Sequence, residues 1–191
     1  MTLKSRLVVL ASAAAVMFAV QATEAVDVRV EFDKAFDFKS VKTWAWNPKG
    51  PGDVKMARTA DDDPEVVRKR AEPIILEAMA SEMGKRGLQQ NADQPQLIVT
   101  YYLLLTTSAS SQTMGDFLPA TTAWGLPPFA PATQSLQVMN RGSLVVDLSS
   151  KGTVVWRGMA QTNYKMDANE KQREALLRES VRDLVRRYPA S

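Results

Sequence analysis

The 191 residues contain no cysteine and no histidine. Without cysteine there is no disulfide framework, no thiol nucleophile, no thiolate metal site and no acceptor for the N-terminal lipid of a bacterial lipoprotein. Without histidine, the commonest general base near neutral pH and the commonest zinc ligand are both missing, so Ser-His-Asp, Cys-His and His-built zinc schemes are excluded. Charge of one sign is also scarce in net terms, with 24 Lys and Arg against 21 Asp and Glu. A balance so even, and so well interleaved, argues against nucleic acid or an anionic membrane surface as partner. Leu7 to Val20 is the one long apolar run, and at about fourteen residues it falls short of the roughly twenty that a bilayer core requires.

That run has the flanks of a secretion signal. Lys4 and Arg6 precede it, polar Gln21 follows it, and Val20-Gln21-Ala22 or Thr23-Glu24-Ala25 offers the small residues that a signal peptidase needs. The expectation is a leader over residues 1–25, cleaved after Ala22 or Ala25, and a mature protein in the periplasm with no transmembrane helix. An uncleaved anchor is the competing reading, disfavoured by the run's length and the lack of a positive stop-transfer cluster. Residues 26–191 suffice for one domain whose stability rests on its apolar core.

Val26, Val28, Val30 and Phe32 alternate with Asp27, Arg29, Glu31 and Asp33, which predicts a strand with one buried and one wet face. Val41 to Trp46 reads as a second strand, stopped by Asn47-Pro48-Lys49-Gly50-Pro51-Gly52. Asp61-Asp62-Asp63-Pro64 signals a helix start, with Val67, Ala71, Ile74, Ile75, Ala78 and Met79 as the buried stripe and Gly84 or Gly87 as the stop. Pro73 inside that stretch predicts a kink, or a helix that begins near Arg70. Leu97 to Leu105 is apolar on both alternating faces, as in a central strand. Residues 106–140 are rich in Pro, Ser and Thr and read as a long loop. Ser143 to Leu148 and Thr153 to Gln161 form a hairpin around Ser149-Ser150-Lys151-Gly152, and Trp156 belongs to its core. Asn169 caps a last helix that reaches about Tyr188, where Pro189 ends it. The expected fold is α+β, a mostly antiparallel sheet of about five strands with two helices on one face.

Three segments carry a resemblance. Val28-Arg29-Val30-Glu31-Phe32-Asp33 with Phe36-Asp37-Phe38 and Lys42-Thr43-Trp44-Ala45-Trp46 forms the first. Gly87-Leu88, Asp93 and Leu97-Ile98-Val99-Thr100-Tyr101 form the second, and Gly142 to Leu148 with Val154-Val155-Trp156-Arg157-Gly158 the third. Together they resemble the DUF4136 domain, a bacterial family of unknown function. The resemblance implies an exported envelope protein with an α+β sheet fold. It brings no catalytic residues, and the chain departs from the family's frequent lipoproteins in lacking their cysteine.

Candidate sites divide by chemistry. Asp61, Asp62 and Asp63 offer the oxygen ligands of a hard cation, but their spacing matches no calcium loop and suits a helix cap. Asp33, Asp37 and Asp147 are the carboxylates to weigh for glycan hydrolysis, against a local role on turn backbone. Trp44 and Trp46 share a strand face, so at least one belongs to the core. Phe117, Trp124 and Phe129 lie without regular period in the 106–140 loop and are the candidate binding residues. Arg178, Arg182, Arg186 and Arg187 interleave with Glu174, Glu179 and Asp183, as on a solvated helix face. The functional expectation is a non-enzymatic binding or assembly module that meets an envelope protein through the 106–140 loop, with no cofactor and no metal. The alternatives are a carboxylate-dependent glycan hydrolase and a carrier of an apolar ligand.

Overall fold

A computed structural model describes residues 26–57, 63–106, 141–163 and 168–189. In chain order these form β1 (Asp27–Phe32), a 3₁₀ turn (Phe38–Ser40), β2 (Thr43–Trp46), β3 (Gly52–Ala57) and α1 (Pro64–Lys85). There follow β4 (Gln89–Gln90), β5 (Leu97–Thr106), β6 (Arg141–Ser150), β7 (Thr153–Asn163) and α2 (Glu170–Arg186). The strands make one sheet ordered β1-β7-β6-β5-β2-β4, with β3 also paired to β5.

The fold is α+β, but the sheet has seven strands and is mixed, not five-stranded and mostly antiparallel. Antiparallel pairing holds from β1 through β7 and β6 to β5, whereas β2 and β3 run parallel to β5, and β4 parallel to β2. Parallel neighbours need a crossover, and α1 supplies it by carrying the chain from β3 back to the start of β5. Two strands were not anticipated, the two-residue β4 and the longer β3. Asn47-Pro48-Lys49-Gly50 only loops out of the ladder: Asn47 N–H donates to the Val99 carbonyl at 3.0 Å, Tyr101 N–H to the Pro51 carbonyl at 3.0 Å, and pairing to β5 resumes at Gly52.

The helix ends follow from side-chain chemistry. Asp63 accepts from the Glu65 N–H at 2.9 Å, which satisfies one of the free donors of the first turn. At the other end, Leu88 N–H donates to Met83 O and Gly87 N–H to Gly84 O, the paired closure that needs Gly87 at its positive φ of 77°. As the Asp61-Asp62-Asp63-Pro64 signal predicts, α1 begins at Pro64; it continues through Pro73 rather than beginning near Arg70. Pro73 sits on the exposed side together with Lys69, whose carbonyl loses its partner to the ring, so water can replace the missing bond. Asn169 caps α2 through a reciprocal box with Gln172. The β6–β7 turn places Lys151 and Gly152 at φ of 51° and 83°, the two positive angles of a two-residue hairpin loop.

Both helices lie on the same face of the sheet. Ile75, Ala78, Met79 and Met83 of α1 and Val181, Leu184 and Val185 of α2 share one core with Trp44, Val99, Tyr101, Leu148 and Trp156. Trp46 is half-buried and meets Trp44 edge to face at 5.5 Å. Among the described residues, no helix is long and apolar enough to cross a membrane.

Candidate functional site

The strand register lays the helix-covered face out in rows. Val99, Leu148, Trp156 and Phe32 face one another across β5, β6, β7 and β1, followed by the row Tyr101, Val146, Gly158 and Val30. Next comes Leu103, Leu144, Ala160 and Val28, and last Leu105, Gly142 and Thr162. Bulk falls along that sequence. Beneath the C-terminal halves of the helices, Met79, Met83, Leu148, Trp156, Leu184 and Tyr188 leave a gap of only about 10 Å³, about the minimum for one water.

Beneath the N-terminal halves, the floor is Ala160 and Gly142 and the facing helix residue is Ala71, so the helices stand over a cavity of about 440 Å³. Leu103, Leu105 and Leu144 complete its apolar floor, and Val67, Ile74 and Leu177 its walls. Gly142 adds no side chain to the floor: a Cβ there would make ordinary van der Waals contact with Leu105 Cδ2 at 3.4 Å and Thr162 Oγ1 at 3.7 Å, so a methyl would fit without a clash. Ser180 brings a hydroxyl, but that group donates to the Leu176 carbonyl at 2.8 Å. Such a volume, lined by apolar residues with polar groups at its rim, is of the size that small-molecule sites occupy.

Charge is confined to the rim, where Arg70, Glu170, Arg173 and Glu174 stand. Glu174 accepts from Arg178 Nε at 2.9 Å, and Arg178 in turn reaches Glu77 across to α1 at 2.8 Å. Arg70 makes no hydrogen bond or ion pair among the described residues.

The opposite face carries a polar row at the same level as the filled end. Thr100, Asp147, Arg157 and Glu31 are successive register partners. Arg157 donates from Nε and Nη2 to the two carboxylate oxygens of Asp147, each at 2.6 Å, with both side chains buried. Burial raises the Asp147 carboxyl above its ordinary range, and Arg157 opposes that rise; Glu31 is displaced in the same direction for the same reasons. Ser143 and Gln161, further along this face, bond to each other at 3.2 Å. This arrangement is a structural clamp between β6 and β7.

The residues singled out from sequence scatter. Asp33 accepts from the Ala35 N–H at 2.8 Å and Asp37 from the Lys39 N–H at 3.1 Å, both local turn roles. Asp147 is held by Arg157, and none of the three lines the cavity. Asp63 is a helix cap, while Asp61 and Asp62 lie outside the described residues. Phe117, Trp124 and Phe129 also lie outside them, as does the leader. Arg178, Arg182 and Arg186 make surface ion pairs with Glu77, Glu174, Glu179 and Asp183. Among the described residues, no cluster of three acidic side chains is placed to hold a metal ion. The small residues Gly142 and Ala160 that shape the cavity carried no signal of their own, because their effect depends on register with Leu105 and Leu144.

Similar folds occur in solved structures. A PDZ domain protein from Parabacteroides distasonis superposes at a TM-score of 0.51 with 14% identity over 86% of this chain, which spans only 35% of that protein. A DUF4136 family protein from Bacteroides thetaiotaomicron gives 0.49 with 17% identity, covering 86% of this chain and 96% of that one. A PelC dodecamer from Paraburkholderia phytofirmans gives 0.43 with 11% identity over 87% and 98%. None of the curated proteins matches the sequence. The family profile described as a domain of unknown function matches residues 28–190, and the chain belongs to that family, DUF4136.

Proposed function

We propose that this chain is exported to the periplasm and acts there as a non-enzymatic binding module, holding the apolar part of a ligand in the cavity between α1 and α2. The observation that carries the reading is the contrast between the two ends of one core: packed to about 10 Å³ under Trp156 and open to about 440 Å³ above Gly142 and Ala160. Protein interiors are ordinarily close-packed, and a cleft of this size open at its rim leaves apolar side chains facing water that packing would otherwise bury. A void kept by small residues on two adjacent strands is therefore better explained by an occupant. Support for a non-enzymatic role comes from the candidate carboxylates, which are engaged in turns or in the Asp147 clamp, away from the cavity.

The test is a fluorescence titration with the neutral apolar probe N-phenyl-1-naphthylamine. The native chain binds it, and Ala160→Leu and Gly142→Val, which fill the floor from different strands, each weaken binding by about tenfold or more while melting cooperatively. Equal affinity in both filled variants contradicts the reading.

A second reading, association with an envelope protein through 106–140, draws on one observation. β5 and β6 remain paired as far as Thr106 and Arg141, so a turn of a few residues would join them. The chain instead spends residues 107–140 on that connection. Replacing 108–139 by a short turn should leave a cooperatively melting protein that no longer cross-links to its envelope neighbour; unchanged cross-linking contradicts this reading.

A further inference from the structure

We infer that the ligand is a single-chain amphiphile with an anionic head, its chain in the cavity and its head at Arg70. This rests on the binding-module reading and adds the class of ligand. The cavity is at the small end of the range for ligand sites, which suits one alkyl chain better than two. Polarity is arranged accordingly: Leu103, Leu105, Leu144, Ala160 and Leu177 are inside, and four charged side chains are at the mouth.

The balance among those four selects the head group. Glu174 is neutralised by Arg178. Glu170 stands in the first turn of α2, where the N–H end of the helix favours a carboxylate without any further partner. Arg173 has its own interactions. Arg70 remains, an exposed guanidinium three residues from Val67 and one from Ala71, both of which line the cavity. A guanidinium with no partner among the described residues, over an apolar chamber, matches a carboxylate or a phosphate, because its planar fork can donate to two oxygens at once. A cationic head would meet the like charge of Arg70, with Glu170 the one carboxylate at the mouth without an ion pair among the described residues, and a neutral head would leave the guanidinium unused.

The experiment displaces N-phenyl-1-naphthylamine from the full chain with decanoate, decyl phosphate and decanol, each below its aggregation limit. Expected is displacement by at least one of the two anions at roughly tenfold lower concentration than by decanol, the tighter anion naming the head group. In Arg70→Gln, which removes the charge at the rim and leaves the apolar floor unchanged, that preference falls to within about twofold while the probe still binds; Arg70→Lys keeps part of it. Decanol competing as well as both anions, or a preference that survives in Arg70→Gln, overturns the inference and leaves the binding-module reading standing. A native chain that binds no probe overturns both.

Discussion

Arg157 and Asp147 face each other across β6 and β7 as a two-point clamp, Nε to one carboxylate oxygen and Nη2 to the other, each at 2.6 Å, with side chains 2% and 3% exposed. Both charges have lost their water, so neither can be removed alone without stranding the other. Arg157→Met should destabilise the fold by about 3–5 kcal/mol in urea unfolding, whereas Asp147→Leu with Arg157→Met should recover most of that loss. A single variant within about 1 kcal/mol of the native chain would show that the clamp holds nothing.

Trp156 and Gly158 set how closely α2 approaches the sheet. The indole lies over the glycine, so a Cβ at 158 would overlap the Trp156 ring and stand 2.8 Å from Leu184 Cδ2. Gly158→Ala should cost about 1–3 kcal/mol, the usual penalty for overpacking. The same change at Gly142, where the nearest atom would be 3.4 Å away, should be neutral or slightly stabilising. Equal effects at the two sites in thermal unfolding would contradict the packing described.

Tyr188 gives the fold an alkaline limit. Its phenol is buried against Phe38, donating to that residue's carbonyl at 3.3 Å, and burial pushes its pKa from 10 up to about 12. The folded state thus keeps a proton that the unfolded chain releases first. The contribution is whole below pH 10 and is lost as pH rises towards about 12. Urea midpoints of the native chain should fall more steeply over that interval than those of Tyr188→Phe, which keeps the ring and lacks the proton. Parallel slopes would contradict this.

Where pattern is local, the sequence is readable: the Val26 to Asp33 alternation is β1, Asn169 is a cap, and Lys151-Gly152 is the hairpin turn. β3 escaped notice although Val54 and Met56 alternate with Asp53 and Lys55, because Pro48, Gly50 and Pro51 just before it read as an end rather than an interruption. Parallel pairing of β2 and β3 to β5 depends on where α1 returns the chain, which no short window contains. The clamp is subtler still. Counting back evenly from Lys151-Gly152 pairs Asp147 with Trp156; the irregularity between Leu148 and Ser149 shifts the ladder by one and brings Arg157 opposite instead. The cavity is hidden for a related reason, since Gly142 and Ala160 become a floor only once the rows beneath the helices are known.

Methyl NMR tests the cavity directly, because its walls and the filled end both carry leucines. On addition of N-phenyl-1-naphthylamine, the methyl signals of Leu103, Leu105 and Leu144 should move, while those of Leu148 and Leu184, under the packed end, should stay in place. Unmoved signals throughout, or shifts centred on Leu148 and Leu184, would contradict a ligand site between the N-terminal halves of α1 and α2.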